Sequence, residues 1–80
     1  MTLSKATAIR VRELLQERSM TQYRLEQLTC ISHSTMNCFL NERNKSCNLT
    51  TVFLIINALN LKPKEFFDSP VFEREDLEID

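Results

Sequence analysis

The sequence predicts an all-α domain of five short helices, and three observations carry that prediction. Apolar residues recur at three-to-four spacing along the chain. Turn signals interrupt them about every ten to fifteen residues, mostly beside side chains that cap helices. Strand-type alternation is almost absent.

Each element has a local reason. Ser4 is the expected cap of a first helix that places Thr7, Val11, Leu14 and Leu15 on one face and ends near Ser19. Thr21 caps a second, TQYRLEQLT, with Leu25 and Leu28 inward. Ser32 caps a third, spanning 32–41, with Met36, Phe39 and Leu40 inward. Asn48 precedes a fourth, LTTVFLIINAL, and Asn60 follows it as a left-handed C-terminal residue. Pro63 suits the first turn of a fifth, PKEFF, where its missing N–H costs nothing. Ser69-Pro70 starts one more turn, or the acidic tail frays.

The fourth helix needs a choice, because its VFLII core is β-branched and also reads as a buried strand. No second strand-like segment offers a partner. The spacing of Leu49, Val52, Phe53, Ile56 and Leu59 favours a helix. Leu54 and Ile55 are left between core and oligomer surface. The chain has no glycine, so left-handed turn positions fall to Asn44, Asn60 and Cys30, of which asparagine tolerates that conformation best.

Composition narrows the class. Eighty residues make one domain, burying only about 60% of its unfolded surface. The N-terminus MTLSKATAIR lacks a signal-peptide apolar region, and no apolar run approaches the ~20 residues of a membrane span. A cytoplasmic location is expected. Residues 1–64 carry nine bases against four acids, a net of +5, and residues 65–80 one base against seven acids, a net of −6. A basic body with an acidic tail suits a polyanion partner.

Only three residues, TCI, link the second helix to the third. So short a connection forces the two to pack at a steep angle, as in a helix-turn-helix. The third helix opens with Ser32, His33, Ser34 and Thr35, then Asn37. A buried helix would not begin so; one offering hydrogen-bond groups to a groove would.

The stretch TQYRLEQLTCISHSTMNCFLN resembles the helix-turn-helix of the phage-repressor family (Cro/cI-like, also called XRE), placed at about 21–41. It matches the family pattern at Thr21, Gln22, Leu25, Ile31, Ser32, Ser34 and Thr35, with Met36 and Phe39 as apolar equivalents. The likeness extends through VREL before it and LTTVFLIINALNLKPKEFF after it, covering roughly 5–68. It implies a lambda-repressor-like fold and a sequence-specific, DNA-binding transcriptional regulator. On that resemblance Gln22 grips a phosphate, while His33, Ser34 and Cys38 face the base edges and Asn37 sits near the groove. Asn41, Arg43 and Lys45 fix a second phosphate contact. Phosphate contacts set position and base-edge contacts set sequence preference.

Four departures stand out. Glu26 replaces a small residue that packs against the recognition helix, so its carboxylate must reach outward or pair with Arg24 or Lys45. Cys30 replaces the glycine of the turn. Leu15 and Leu40 stand where many members bury an arginine–glutamate pair, and they are expected to touch. Leu54 replaces a polar residue on the fourth helix.

CISHSTMNC, with Cys47 beyond it, raises the question of a metal. A tetrahedral zinc site needs four converging ligands, usually including a close cysteine pair, and this spacing supplies none. An odd cysteine count suits reduced thiols. No acid pair, triad or glycine loop suggests an enzyme, and no cofactor is expected.

The reading is a DNA-binding domain at 1–68 with an acidic tail at 69–80. One such domain reads few base pairs, so a homodimer on a two-fold operator is expected, its interface using the fifth helix, the tail and exposed residues of the fourth. The alternative is a protein-interaction module, antitoxin-like or regulatory, on the same fold. Overall acidity, the weakly basic third helix and the Glu26 and Cys30 departures support it.

Overall fold

A computed structural model of the chain describes residues 1–41 and 48–79. Five α-helices follow in order: α1 Leu3–Glu17, α2 Gln22–Thr29, α3 His33–Leu40, α4 Leu49–Ala58 and α5 Pro63–Phe67, then a 3-10 turn Pro70–Phe72. The all-α prediction and the helical reading of VFLII both hold. The described residues contain no strand, only a single bridge between Thr2 and Glu78. Arg43, Asn44, Lys45 and Cys47, singled out in the sequence, lie outside the described residues.

Caps start the helices largely where expected. The side chains of Thr21, Ser32 and Asn48 accept from the backbone N–H of Arg24, Thr35 and Thr50. The first helix differs: Thr2, not Ser4, is its cap, accepting from Lys5 N. The reason is tertiary. Glu78 O accepts from Leu3 N at 2.8 Å, which draws the first turn two residues further back than local preference alone would.

Left-handed residues end the helices. Ser19, Cys30 and Asn60 have φ of 51°, 59° and 56°. Ser19 was not among the expected positions. After α1, Ser19 N donates to Gln16 O and Met20 N to Leu15 O; after α4, Asn60 N donates to Asn57 O and Leu61 N to Ile56 O. Each pair closes the last turn and satisfies carbonyls that would otherwise lack partners.

The core joins Val11, Leu14 and Leu15 of α1, Leu25 of α2, and Met36, Phe39 and Leu40 of α3. Val52, Ile55 and Ile56 of α4, Leu59 after it and Phe66 of α5 complete it. Burying each Leu, Ile or Phe fully is worth about 1.5–3 kcal/mol relative to exposure. Leu15 and Leu40 are both members, so two leucines fill the region where the resemblance implied an ion pair.

One inward assignment is corrected. Leu28 is exposed, because Leu25 alone carries α2 into the core and Thr29 covers the next turn. Leu49 and Phe53 are also exposed and Ile55 is fully buried. A helix apolar on nearly every side has no unique stripe, and packing turned α4 so that Val52, Ile55, Ile56 and Leu59 point inward.

The tail is not frayed. Ser69 is buried and caps the turn Pro70–Phe72, and Phe72 packs on the core beside Phe66 and Phe67. Glu78 N then donates to Met1 O at 2.8 Å, tying the last described residues to the start of α1.

Candidate nucleic-acid interface

Three consecutive backbone states make the turn between α2 and α3. Cys30 is left-handed, Ile31 tucks against the core, and Ser32 is extended as the α3 cap. Thr29 holds the corner: its Oγ1 donates to Leu25 O at 2.8 Å and accepts from Ile31 N at 3.3 Å. With Met36, Phe39 and Leu40 buried, α3 presents its other side outward. Ser32, His33, Ser34 and Thr35 are exposed, and Asn37 and Cys38 are half-buried.

Ser32 is occupied by the cap. Its Oγ accepts from Thr35 N at 3.2 Å and donates to Thr35 Oγ1 at 2.9 Å. Thr35 keeps its own hydroxyl proton. The first N–H groups of α3 have no partner within the helix, and that terminus favours an anion.

The structure joins Gln22 and His33 through a residue not assigned a contact. Glu26 Oε2 accepts from Gln22 Nε2 at 2.8 Å and lies 2.9 Å from His33 Nδ1. Of the expected partners of Glu26, Arg24 gives way to Gln22 and His33, and Lys45 lies outside the described residues. Its carboxyl is held below the ordinary glutamate range, first by the Gln22 hydrogen bond, against opposing desolvation, and then by His33. Four-residue spacing puts Gln22 and Glu26 on one face of α2, which is the sequence signal for this pair.

A second group fixes the far end of α3. Arg12 donates from Nε and Nη2 to Leu40 O, at 3.1 and 2.7 Å, and from Nη2 to Asn41 Oδ1 at 2.9 Å. Asn41 Nδ2 in turn donates to Asn37 Oδ1 at 2.7 Å. Asn37 and Asn41 are therefore one connected unit anchored to α1. Nothing local signals Arg12, since the partners are 28 residues apart.

Cys30 and Cys38 are free thiols. Among the described residues no three His, Cys, Asp or Glu side chains are grouped to hold a metal. Among the described residues no helix is long and apolar enough to cross a membrane.

Two helices at a three-residue turn, the second capped, braced at both ends and exposed along its polar side, define a helix-turn-helix domain. The chain belongs to the Cro/C1-type HTH DNA-binding domain family, whose model matches residues 10–70. No curated protein and no solved structure matches it.

Proposed function

We propose that this protein is a cytoplasmic, non-enzymatic transcriptional regulator that lays α3 in the major groove of double-stranded DNA. The observation that carries the proposal is the division of α3. Its apolar residues are sealed in the core, while His33, Ser34 and Thr35 stand exposed at the end that enters a groove in this class of motif. His33, Ser34 and Cys38 then meet base edges with Asn37 beside them. Gln22 and the α3 N-terminus, with its Ser32 cap, meet one phosphate; Asn41, Arg43 and Lys45 meet another.

A homodimer on a two-fold operator completes this function, since one domain distinguishes few base pairs. Residues 1–68 supply the DNA contacts, and α5 and the tail adjoin the subunit contact. The exposed side chains Leu49, Phe53 and Leu54 of α4 and Phe67 of α5 support a second copy of this chain as the partner. The patch carries no charge, so setting it against itself brings no like charges together.

The test is fluorescence anisotropy with a mixed-sequence duplex library at two salt concentrations. Wild type is compared with the double variant Arg43→Ala, Lys45→Ala. Binding should weaken steeply with salt, and the log–log slope should shrink by about one unit for each phosphate contact removed. An enriched palindrome should emerge. A folded protein that binds no duplex at low salt would refute this function and favour the protein-interaction module, whose apolar contact salt does not weaken.

A further inference from the structure

Glu26 is an anion set between the two residues best placed to meet DNA. Placed beside a phosphate, an unpaired carboxylate would oppose binding. Here both donors that face it are satisfied by one oxygen, Gln22 Nε2 at 2.8 Å and His33 Nδ1 at 2.9 Å. The Glu26 side chain is only 10% exposed and that of His33 is 77% exposed, so the imidazole lies over the carboxylate with its far edge in solvent. A carboxylate only accepts hydrogen bonds, so Nδ1 carries the proton and Nε2 is the atom presented outward.

We propose that Glu26 is a positioning residue that determines specificity, fixing His33 so that Nε2 reads a base edge with a protonation-dependent preference. Neutral His33 accepts at Nε2 and suits an exocyclic amine, adenine N6 or cytosine N4. The imidazolium donates at the same atom and suits guanine N7 or O6. Gln22, with one amide proton held by Glu26, keeps the other for a phosphate. The preference rests on the α3-in-groove reading above, which it deepens.

The surroundings of His33 are simple. From α2, Glu26 is the charged group that faces it; from α3 itself, the partial positive charge of the helix N-terminus lies beneath it. The other titratable side chains on the two helices and their turn are Tyr23, Arg24, Cys30 and Cys38. Among the described residues none of these bonds to His33 or Glu26.

The experiment has two readouts on the full chain. His33 is the only histidine, so its ring nitrogens can be followed by nitrogen-15 NMR in the free protein. Wild type at pH 8 should show the proton on Nδ1, and Glu26→Ala should return the ring to a mixture of tautomers. Anisotropy is then read on the enriched duplex and its single-base-pair variants at pH 8 and 5.5, spanning the range in which histidines titrate. At one position in each half-site, preference should move toward guanine by roughly tenfold at the lower pH. Glu26→Ala should lose that change. Taking ratios between duplexes cancels the uniform gain that any added positive charge gives.

A proton on Nε2 at pH 8 would overturn the proposal. So would a base preference unchanged by pH, or one that Glu26→Ala leaves intact; in each case binding itself would persist and the regulator function would stand. Absence of binding to every duplex at both pH values would refute that function and this proposal together.

Discussion

Arg12 of α1 and the carbonyl of Leu40, the last residue of α3, are joined by two hydrogen bonds from one guanidinium, 3.1 Å from Nε and 2.7 Å from Nη2. A helix ends with carbonyls that have no partner and a partial negative charge, and a cation there answers both. Arg10 does the same for α5, donating to Phe66 O at 2.7 Å and to Glu65 O at 2.9 Å. Two arginines two positions apart on α1 thus tie down the ends of two other helices.

Arg12→Ala should release the end of the recognition helix. Arg12 is exposed, so solvent screening reduces the worth of its charge-assisted bonds to about 1 kcal/mol. That corresponds to about 4–8 °C in Tm for a domain of this size. Arg12→Lys should recover little, because a single ammonium cannot reproduce the fork over Leu40 O and Asn41 Oδ1. Thermal unfolding of the three proteins decides it. Equal Tm values would mean that the bonds are replaced by water at no cost.

Cys30 is in the left-handed region at φ 59°, where Cβ crowds the backbone carbonyl. Cys30→Gly should raise stability by about 0.5–1 kcal/mol, the relief of strain exceeding the extra freedom glycine gives the unfolded chain. Cys30→Val should lower it by more than that, since a β-branched residue is disfavoured at positive φ. Chemical denaturation midpoints should therefore order as glycine, cysteine, valine. Any other order would show that the turn relaxes to a different winding.

Much of this fold was legible in the sequence, and the failures have one kind of cause. Thr21, Ser32 and Asn48 could be read as caps because each bonds a backbone N–H two or three residues on. Ser4 was misread because Thr2 and Ser4 are both cap residues, and the choice was made by Glu78 from the other end of the chain. Leu28 reads as inward and is exposed, because periodicity defines a stripe but not which edge of it packing covers. Within the site, the exposed polar start of α3 was visible from composition. The joining of Gln22 to His33 through Glu26, and of Asn41 to Arg12, depends on how three helices meet.

The Glu26 carboxyl sits below the ordinary glutamate value of 4.5, held there first by Gln22 and less by His33, with desolvation opposing. Folding therefore favours its ionised form. The stability it gives is present above pH 4.5 and is lost as the pH falls through its lowered folded value. Wild type should be more stable than Glu26→Gln at pH 5, and the gap should close as the pH falls toward 3. A Tm difference that does not change over that interval would place the stabilisation elsewhere than in this charge.

Leu54 is exposed on α4 and lines the same surface depression as Leu49 and Phe53, so a substitution there alters a surface without opening the core. Leu54→Glu should fold with a Tm close to wild type, because surface changes away from special features are usually worth less than about 0.5 kcal/mol. In the proposed homodimer, a two-fold axis would place two such carboxylates on the same apolar contact. Like charges brought together at an interface cost several kcal/mol, so the dimer dissociation constant should rise by roughly 100-fold or more. Sedimentation equilibrium reads this directly. Binding to a palindromic duplex should lose its steepness in the same variant while a half-site duplex binds as before, since α3 is untouched. A Leu54→Glu protein that remains a dimer would remove α4 from the subunit contact and leave α5 and the tail, where Phe67 and Phe72 pack at 5.2 Å, as the surface to alter next.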